Sequence, residues 1–472
     1  MHLRIFVCLA FAALCACGMG GSQSSQSAPA GGPVPAAQVL RNAENADSNP
    51  AGAAGSAIQH IVVIIQENRS VDNLFQGFPN ANTQNFGLLK RPGAAPTTIP
   101  LQMIPLAVTC DIDHAHTSWA GDWDNGGMDG FNAATAPISC PSPNATPHPA
   151  DYAYSYVNPS DVAPYWAMAR NYTLMDAVFE DPTSPSFQSH QHLIAGQSDN
   201  TSENPKINGV VAKIWGCDSP AAARAALYNG LGDTEPGIFP CFGSPYPTVA
   251  DLLDAKALKW KYYAPTIGTT GGIWSAFDAV SNVRYGPDWA NVITPQTRIL
   301  KEAANIPSVT YVVPSFPDSD HAGSNSTTGP AWVASVVNAI GTSSRWKNTA
   351  IFVLWDDWGG WYDHVAPTVT QNDTIGGFRV PVICISPYSE QTNPASPVVD
   401  HTQHGTDGIL TFIEQTFNLG SLNMQDSKET ALDECFNFKQ KPKAFVPIPS
   451  SAIYNKQYFL NEHASNVAPD DD

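Results

Sequence analysis

The chain has 472 residues, of which 43% are hydrophobic, 10% aromatic and only 14% charged; this composition suits a well-buried globular protein and excludes a disordered chain or a coiled coil. Asp and Glu number 42 against 23 Lys and Arg, a net charge of −19. The average surface therefore repels nucleic acid and anionic lipid headgroups, and sequence-independent DNA binding is not expected.

Met1-His2-Leu3-Arg4 followed by the apolar run Ile5 to Ala16 has the basic and apolar regions of an export signal, and is too short to span a bilayer as a helix. Leu14-Cys15-Ala16-Cys17-Gly18 has the form of a bacterial lipobox, in which Cys17 would carry a lipid anchor; ordinary cleavage at the small residues nearby is the alternative. Residues 18–57 are rich in Gly, Ser, Ala and Pro without apolar periodicity and read as a flexible tether, so order is expected from Ile58.

Ile61-Val62-Val63-Ile64-Ile65 is a continuous β-branched run, the pattern of a strand buried on both faces of a parallel sheet. Val309 to Val313, Ala350 to Trp355 and Val380 to Ile385 repeat that character. Ala331 to Ile340 and Ile409 to Phe417 read as helices. The alternation predicts an α/β fold, and the Gly-, Pro-, Asn- and Ser-rich stretches 78–160 and 198–250 are expected as insertions over the sheet edges.

Beyond the leader the cysteines are Cys110, Cys140, Cys217, Cys241, Cys384 and Cys435. None forms the close Cys-x-x-Cys pairs of zinc sites, so in an exported chain they read as disulfides. Sequential pairing, 110 with 140, 217 with 241 and 384 with 435, is the simplest arrangement.

In an open α/β sheet, ligands bind beyond the carboxyl ends of the strands. The first strand runs directly into Gln66-Glu67-Asn68-Arg69-Ser70, and the strand 350–355 into Asp356-Asp357. Glu67, Asn68, Asp356 and Asp357 are thus candidates to converge as hard oxygen donors around a divalent cation. Such a cation would also give a phosphate-type ligand the local positive centre that so acidic a protein otherwise lacks. Singly, each of these residues reads equally well as a loop polar group or a helix cap; two acidic clusters at two strand ends favour the metal. Ser186 follows Pro185 and opens an apolar segment, which suits a helix N-terminus whose free N–H groups favour an anion. The competing reading is a turn or cap residue, and Thr183, Ser184 and Ser189 are rival hydroxyls.

At these residues the chain resembles a known family. Ile61 to Phe75, with its Glu-Asn-Arg-Ser core, is similar to the opening motif of the bacterial phosphoesterase family that includes phospholipases C and certain acid phosphatases, within the alkaline-phosphatase-like superfamily. The resemblance continues at Asn125-Gly126-Gly127-Met128-Asp129-Gly130-Phe131, at Pro185-Ser186-Phe187 through Gly196, at Trp355 through Val365, and at Gly377-Phe378-Arg379-Val380-Pro381 through Tyr388, ending near Glu414.

The resemblance implies a three-layer α/β/α sandwich around a largely parallel sheet, with residues 58–425 as the catalytic domain and 426–472 as a C-terminal tail. It implies metal-dependent hydrolysis of phosphoric esters, with Glu67, Asn68, Asp356, Asp357 and Ser186 around the cation and Ser186 as the nucleophile. Many relatives carry Glu where this chain has Asp357 and Asn where it has Ser189, which puts the coordination and one amide contact in question. Either His114 or His116 fills the family's first histidine position, and His321 matches a later one; these imidazoles would bind phosphoryl oxygens or protonate the leaving alcohol. His190 and His364 read as orienting residues.

Three other readings are weighed. A sulfatase needs Cys or Ser two residues before Pro and Arg two after it, whereas Thr183 and Phe187 flank Pro185. A dinucleotide enzyme lacks its Gly-x-Gly-x-x-Gly after a buried strand. A noncatalytic surface-binding lipoprotein would have lost the nucleophile or a ligand, and none is lost. Between a phospholipase C acting on a phospholipid and an acid phosphatase acting on a small monoester, the sequence leans to the former; Trp119, Trp123, Tyr152, Tyr154 and Trp361 are candidates for a cationic headgroup pocket or, equally, for core packing.

Overall fold

The computed structural model describes residues 57–132, 151–183, 185–228, 233–367, 376–390 and 393–462. The export signal, Cys17, Cys140, Ser184 and the end of the tail lie outside these residues.

The described strands of the central sheet are, in chain order, β1 (His60–Gln66), β2 (Thr173–Phe179), β3 (Trp260–Tyr263), β4 (Val292–Ile293), β5 (Val309–Val312), β6 (Thr349–Trp355), β7 (Arg379–Ile385), β8 (Val398–Asp400) and β9 (His404–Gly405). Their spatial order is β4-β3-β5-β1-β6-β7-β2-β8, with β9 also paired to β2. β1 is parallel to both β5 and β6, in register from His60 against Thr349 to Gln66 against Trp355. The run at β7 breaks the parallel expectation, because it pairs antiparallel to both β6 and β2. A strand buried on both faces has the same apolar sequence whichever way it runs, so periodicity carries no direction. Pro381, which has no N–H to donate, falls at the register shift between Val380 and Val382 against β2. β1, β2, β5 and β6 consequently point the same way and end on one edge.

Both faces of the sheet are covered. Ile61, Val63 and Ile65 pack with α4 (Ser186–Ala195), α5 (Val249–Ala255) and α7 (Gly408–Phe417). Val62 and Ile64 pack on the other face with α3 (Ala163–Asn171) and α6 (Gly329–Gly341). Each Val or Ile so buried contributes about 1.5–3 kcal/mol, which is why β1 and β6 form the rigid centre from which the site projects.

A third apolar cluster caps the edge where these strands end. It joins α2 (His116–Trp123) and neighbouring inserted segments to the loop after β6, through Trp119, Met128, Phe131, Tyr154, Trp358, Trp361, Tyr362 and Phe378. Tyr152, Tyr154 and Trp361 are core residues of this cap, and Trp119 is buried between the rings of His116 and Trp123. Cys217 is bonded to Cys241 and Cys384 to Cys435, as sequential pairing expects. The partner expected for Cys110 falls outside the described residues.

Candidate active site

The register of β1 against β6 sets the heart of the site. Because Gln66 lies opposite Trp355, the next residues, Glu67 and Asp356, leave adjacent strand ends together. The Asp356 N–H donates to the Gln66 carbonyl at 2.9 Å, and the Asn68 N–H donates to Asp356 Oδ1 at 3.0 Å. Asn68 holds a left-handed backbone, φ 64°, a conformation Asn tolerates better than most residues. Gly359 presses on this turn: a Cβ there would lie 2.4 Å from the Asn68 carbonyl oxygen.

The second component is α4, which begins at Ser186 after an extended Pro185. The Phe187 N–H is satisfied by Asn204 Oδ1 at 3.0 Å. Ser186 is fully buried, and its Oγ lies 3.2 Å from Asp357 Oδ2 and 3.4 Å from Glu67 Oε2. One turn further on, His190 Nε2 lies 3.0 Å from Glu67 Oε1 and 3.6 Å from Asp356 Oδ2. The helix thus brings both its hydroxyl and an imidazole to the two acidic strand ends.

The other histidines divide. His114 has both ring nitrogens engaged: Nδ1 faces the Ile112 carbonyl at 2.7 Å, and Nε2 takes the Asn68 side-chain amide at 2.7 Å. His321 lies beside it, ring centroids 5.9 Å apart, and its Nδ1 donates to the Ala322 carbonyl. His116 stands elsewhere, with Nδ1 2.8 Å from the Thr183 carbonyl and its ring stacked on Trp119 and edge-on to Tyr228. His364 belongs to a separate network: its Nδ1 meets Asp72 Oδ2 at 2.7 Å, while the buried Arg379 binds Asp363 through Nε at 2.8 Å and Nη2 at 3.1 Å. Asp72, Asp363 and His364 have metal-ligand spacing, but the guanidinium already supplies the cation there.

Glu180 is a site residue the sequence reading missed. It follows β2 directly and is 1% exposed, with both carboxylate oxygens buried. Burial first, then repulsion from Asp357 and Asp356, pushes its carboxyl well above the usual range. The available signal was an acidic Glu180-Asp181 pair at a strand end, as in the other two clusters. Arg69 is the other omission. Its Nε and Nη2 donate to the Asp320 carbonyl at 2.9 and 2.6 Å, tying the loop that carries His321 to the turn that carries Asn68.

The donor set fits a divalent cation. Asn68 Oδ1 and Asp356 Oδ2 are buried without a hydrogen-bond partner among the described residues. Burial and then repulsion from Glu67 push the Asp356 carboxyl up to about 8, and burial and then repulsion from Asp356 push Asp357 to about 8. Buried carboxylates in this state need either protons or a counter-charge. Glu67, Asp356 and His190 each offer a ligand atom within 4.8 Å of the others.

The strand ends of this α/β sheet thus gather carboxylates around a helix-borne serine. The chain matches the Phosphoesterase family over residues 58–420 and belongs to it; it is a phosphoric-ester hydrolase. It is 25% identical to phospholipase C A of Mycobacterium tuberculosis over 453 residues, covering 83% of this chain and 79% of that one. It is 22% identical to non-specific phospholipase C1 of Arabidopsis thaliana, covering 83% and 73%. The hemolytic phospholipase C of Pseudomonas aeruginosa is 20% identical, with 78% of this chain and 54% of that protein covered. Among solved structures, a protein in the alkaline phosphatase superfamily from Vibrio parahaemolyticus aligns at TM-score 0.36 and 9% identity, covering 84% and 80%.

Proposed function

We propose that this phosphoesterase is a metal-dependent phosphodiesterase of the phospholipase C type, in which Ser186 Oγ attacks phosphorus. The observation that carries the reading is the placement of one buried hydroxyl within 3.2–3.4 Å of carboxylates from two different strand ends. Glu67, Asn68, Asp356 and Asp357 would hold the cation with Ser186. Bound there, it would lower the pKa of the hydroxyl and offset charge on the phosphoryl oxygens.

The steps of the chain's own residues follow. The Ser186 proton passes to a neighbouring carboxylate, Asp357 Oδ2 or Glu67 Oε2. A bond forms from Oγ to phosphorus as the bond to the leaving alcohol oxygen breaks, and that oxygen takes a proton from an imidazole. We assign this role to His116, whose Nδ1 is held by Thr183, three residues before the nucleophile. His114, engaged at both nitrogens, instead fixes the Asn68 amide. Ser186 then carries the phosphoryl group with its remaining ester; water attacks phosphorus and gives a proton back to the imidazole, and the bond from Oγ to phosphorus breaks as Oγ recovers its proton from the carboxylate. The phospholipid substrate is supported by the relatives named phospholipase C in bacteria and a plant.

Export is supported by the N-terminal signal and by the disulfides Cys217–Cys241 and Cys384–Cys435, with lipidation of Cys17 as the means of anchoring. Among the described residues no helix is long and apolar enough to cross a membrane.

The test is turnover of phosphatidylcholine, a chromogenic phosphocholine diester and a chromogenic phosphomonoester, with and without exhaustive chelation. Diester turnover above monoester turnover, lost on chelation and restored by a divalent cation, is expected. Turnover of the monoester alone would make the chain a phosphatase, and turnover that survives complete metal removal would overturn the cation.

A further inference from the structure

Glu67 divides its two oxygens between two residues of one helix. Oε2 lies 3.4 Å from Ser186 Oγ, and Oε1 lies 3.0 Å from His190 Nε2. The spacing is a consequence of α4: residues i and i+4 share a helical face, so the same face that presents the hydroxyl presents the imidazole one turn later. His190 is 2% exposed. Its ring is therefore shielded from water and faces Glu67 instead.

Two roles compete for such an imidazole. It either binds the cation through Nε2, as the ligand spacing with Glu67 and Asp356 permits, or donates Nε2–H to the carboxylate. The other ring nitrogen decides between them. Nδ1 is buried and has no hydrogen-bond partner among the described residues. A metal-bound histidine carries its proton on the second nitrogen and almost always donates it to an acceptor; here that N–H would be buried with nothing to receive it, at the full desolvation cost of an unmade hydrogen bond. With the proton on Nε2, Nδ1 is a bare lone pair and Glu67 Oε1 receives the hydrogen bond.

We propose that His190 is a positioning residue for the proposed cation site: it donates Nε2–H to Glu67 Oε1 and so turns Oε2 toward Ser186. α4 then carries both the nucleophile and the group that aims its carboxylate partner, and any displacement of the helix moves the two together. The inference rests on the reading of Glu67 as a metal ligand.

Metal-stripped wild type, His190→Ala, His190→Gln and Glu67→Gln are titrated with Mn2+ by electron paramagnetic resonance, and turnover is measured alongside. His190→Ala is expected to bind Mn2+ about 10–100-fold more weakly, the usual loss when an outer-shell partner is removed, with kcat falling more than KM rises. His190→Gln, whose amide can still donate to Glu67, is expected to recover most of the affinity. The wild-type Mn2+ spectrum is expected to lack a directly bound nitrogen. Should the Ala variant fail to fold by circular dichroism, His190→Asn takes its place, since its amide is too short to reach Glu67 and predicts the same loss. Affinity of His190→Ala within twofold of wild type would overturn the proposal. So would a bound-nitrogen signal in wild type that vanishes in His190→Gln, which would make His190 a ligand. If Glu67→Gln keeps full affinity, the cation site itself is misplaced; if it loses affinity while His190→Ala does not, only the role of His190 falls.

Discussion

Asp356 and Asp357 face an electrostatic problem that burial makes acute. Both carboxyls stand near 8 in the cation-free protein, burial being the larger cause and repulsion by Glu67 and Asp356, respectively, the next. Unfolded, each titrates near ~3.9. Between roughly pH 4 and pH 8 the folded chain therefore binds more protons than the unfolded one, and the stability these groups contribute is lost as pH rises through that window. Thermal unfolding of metal-stripped protein is expected to show a lower Tm at pH 8 than at pH 5, with a divalent cation restoring more stability at pH 8. An equal cation effect at both pH values would place the ion elsewhere. At the other end of the reaction, His116→Ala is expected to cost on the order of 10²–10⁴-fold in kcat on a lipid substrate. With a nitrophenyl leaving group, which departs without a proton, the loss should shrink; equal loss on both substrates would give His116 a different role.

Elements, rather than isolated residues, decide how much of the site is legible in sequence. β1 and β6 announce themselves as unbroken apolar runs, so the acidic residues that follow them could be assigned to one edge before any coordinates. β2 does not, because Thr173 and Asp176 interrupt Thr173–Phe179; Asp176 is buried yet paired to His401 at 2.7 Å, a tertiary contact that no local pattern contains. Missing β2 meant missing Glu180 at its end. β3 and β4, at 4 and 2 residues, are too short to produce a period. His190 depends on α4 including both positions, since a helix that spans Ser186 and His190 puts them on the same face. The turn after β6 is equally constraining. Gly359 has φ 61° and no room for a Cβ beside Asn68, so Gly359→Ala is expected to displace Asn68 and lower both Tm and cation affinity, at about 1–3 kcal/mol of strain. Unchanged cation affinity in that variant would separate Asn68 from the site.

At the scale of the whole molecule, the Cys384–Cys435 bond fastens the segment that follows α7 to the sheet, because Cys384 belongs to β7 and Cys435 is fully buried. It closes a separation of 51 residues, for which chain entropy gives a stabilisation of about 4 kcal/mol. Reduction under native conditions is expected to lower Tm without altering the site, and a thiol count on unreduced protein should find Cys217, Cys241, Cys384 and Cys435 oxidised; free thiols would contradict the disulfides. The sheet and α4 hold one buried hydroxyl against carboxylates from two strand ends, and the central claim is that this hydroxyl attacks phosphorus. The most direct test is to quench the enzyme during turnover of a diester labelled in its phosphate and map the covalent label by peptide mass. The account predicts Ser186 carrying the labelled phosphoryl group with its remaining ester, and a Ser186→Ala protein that folds but has lost turnover by several orders of magnitude, on the order of 10³-fold or more. A label on Thr183 or Ser184, or near-normal turnover in Ser186→Ala, would contradict it.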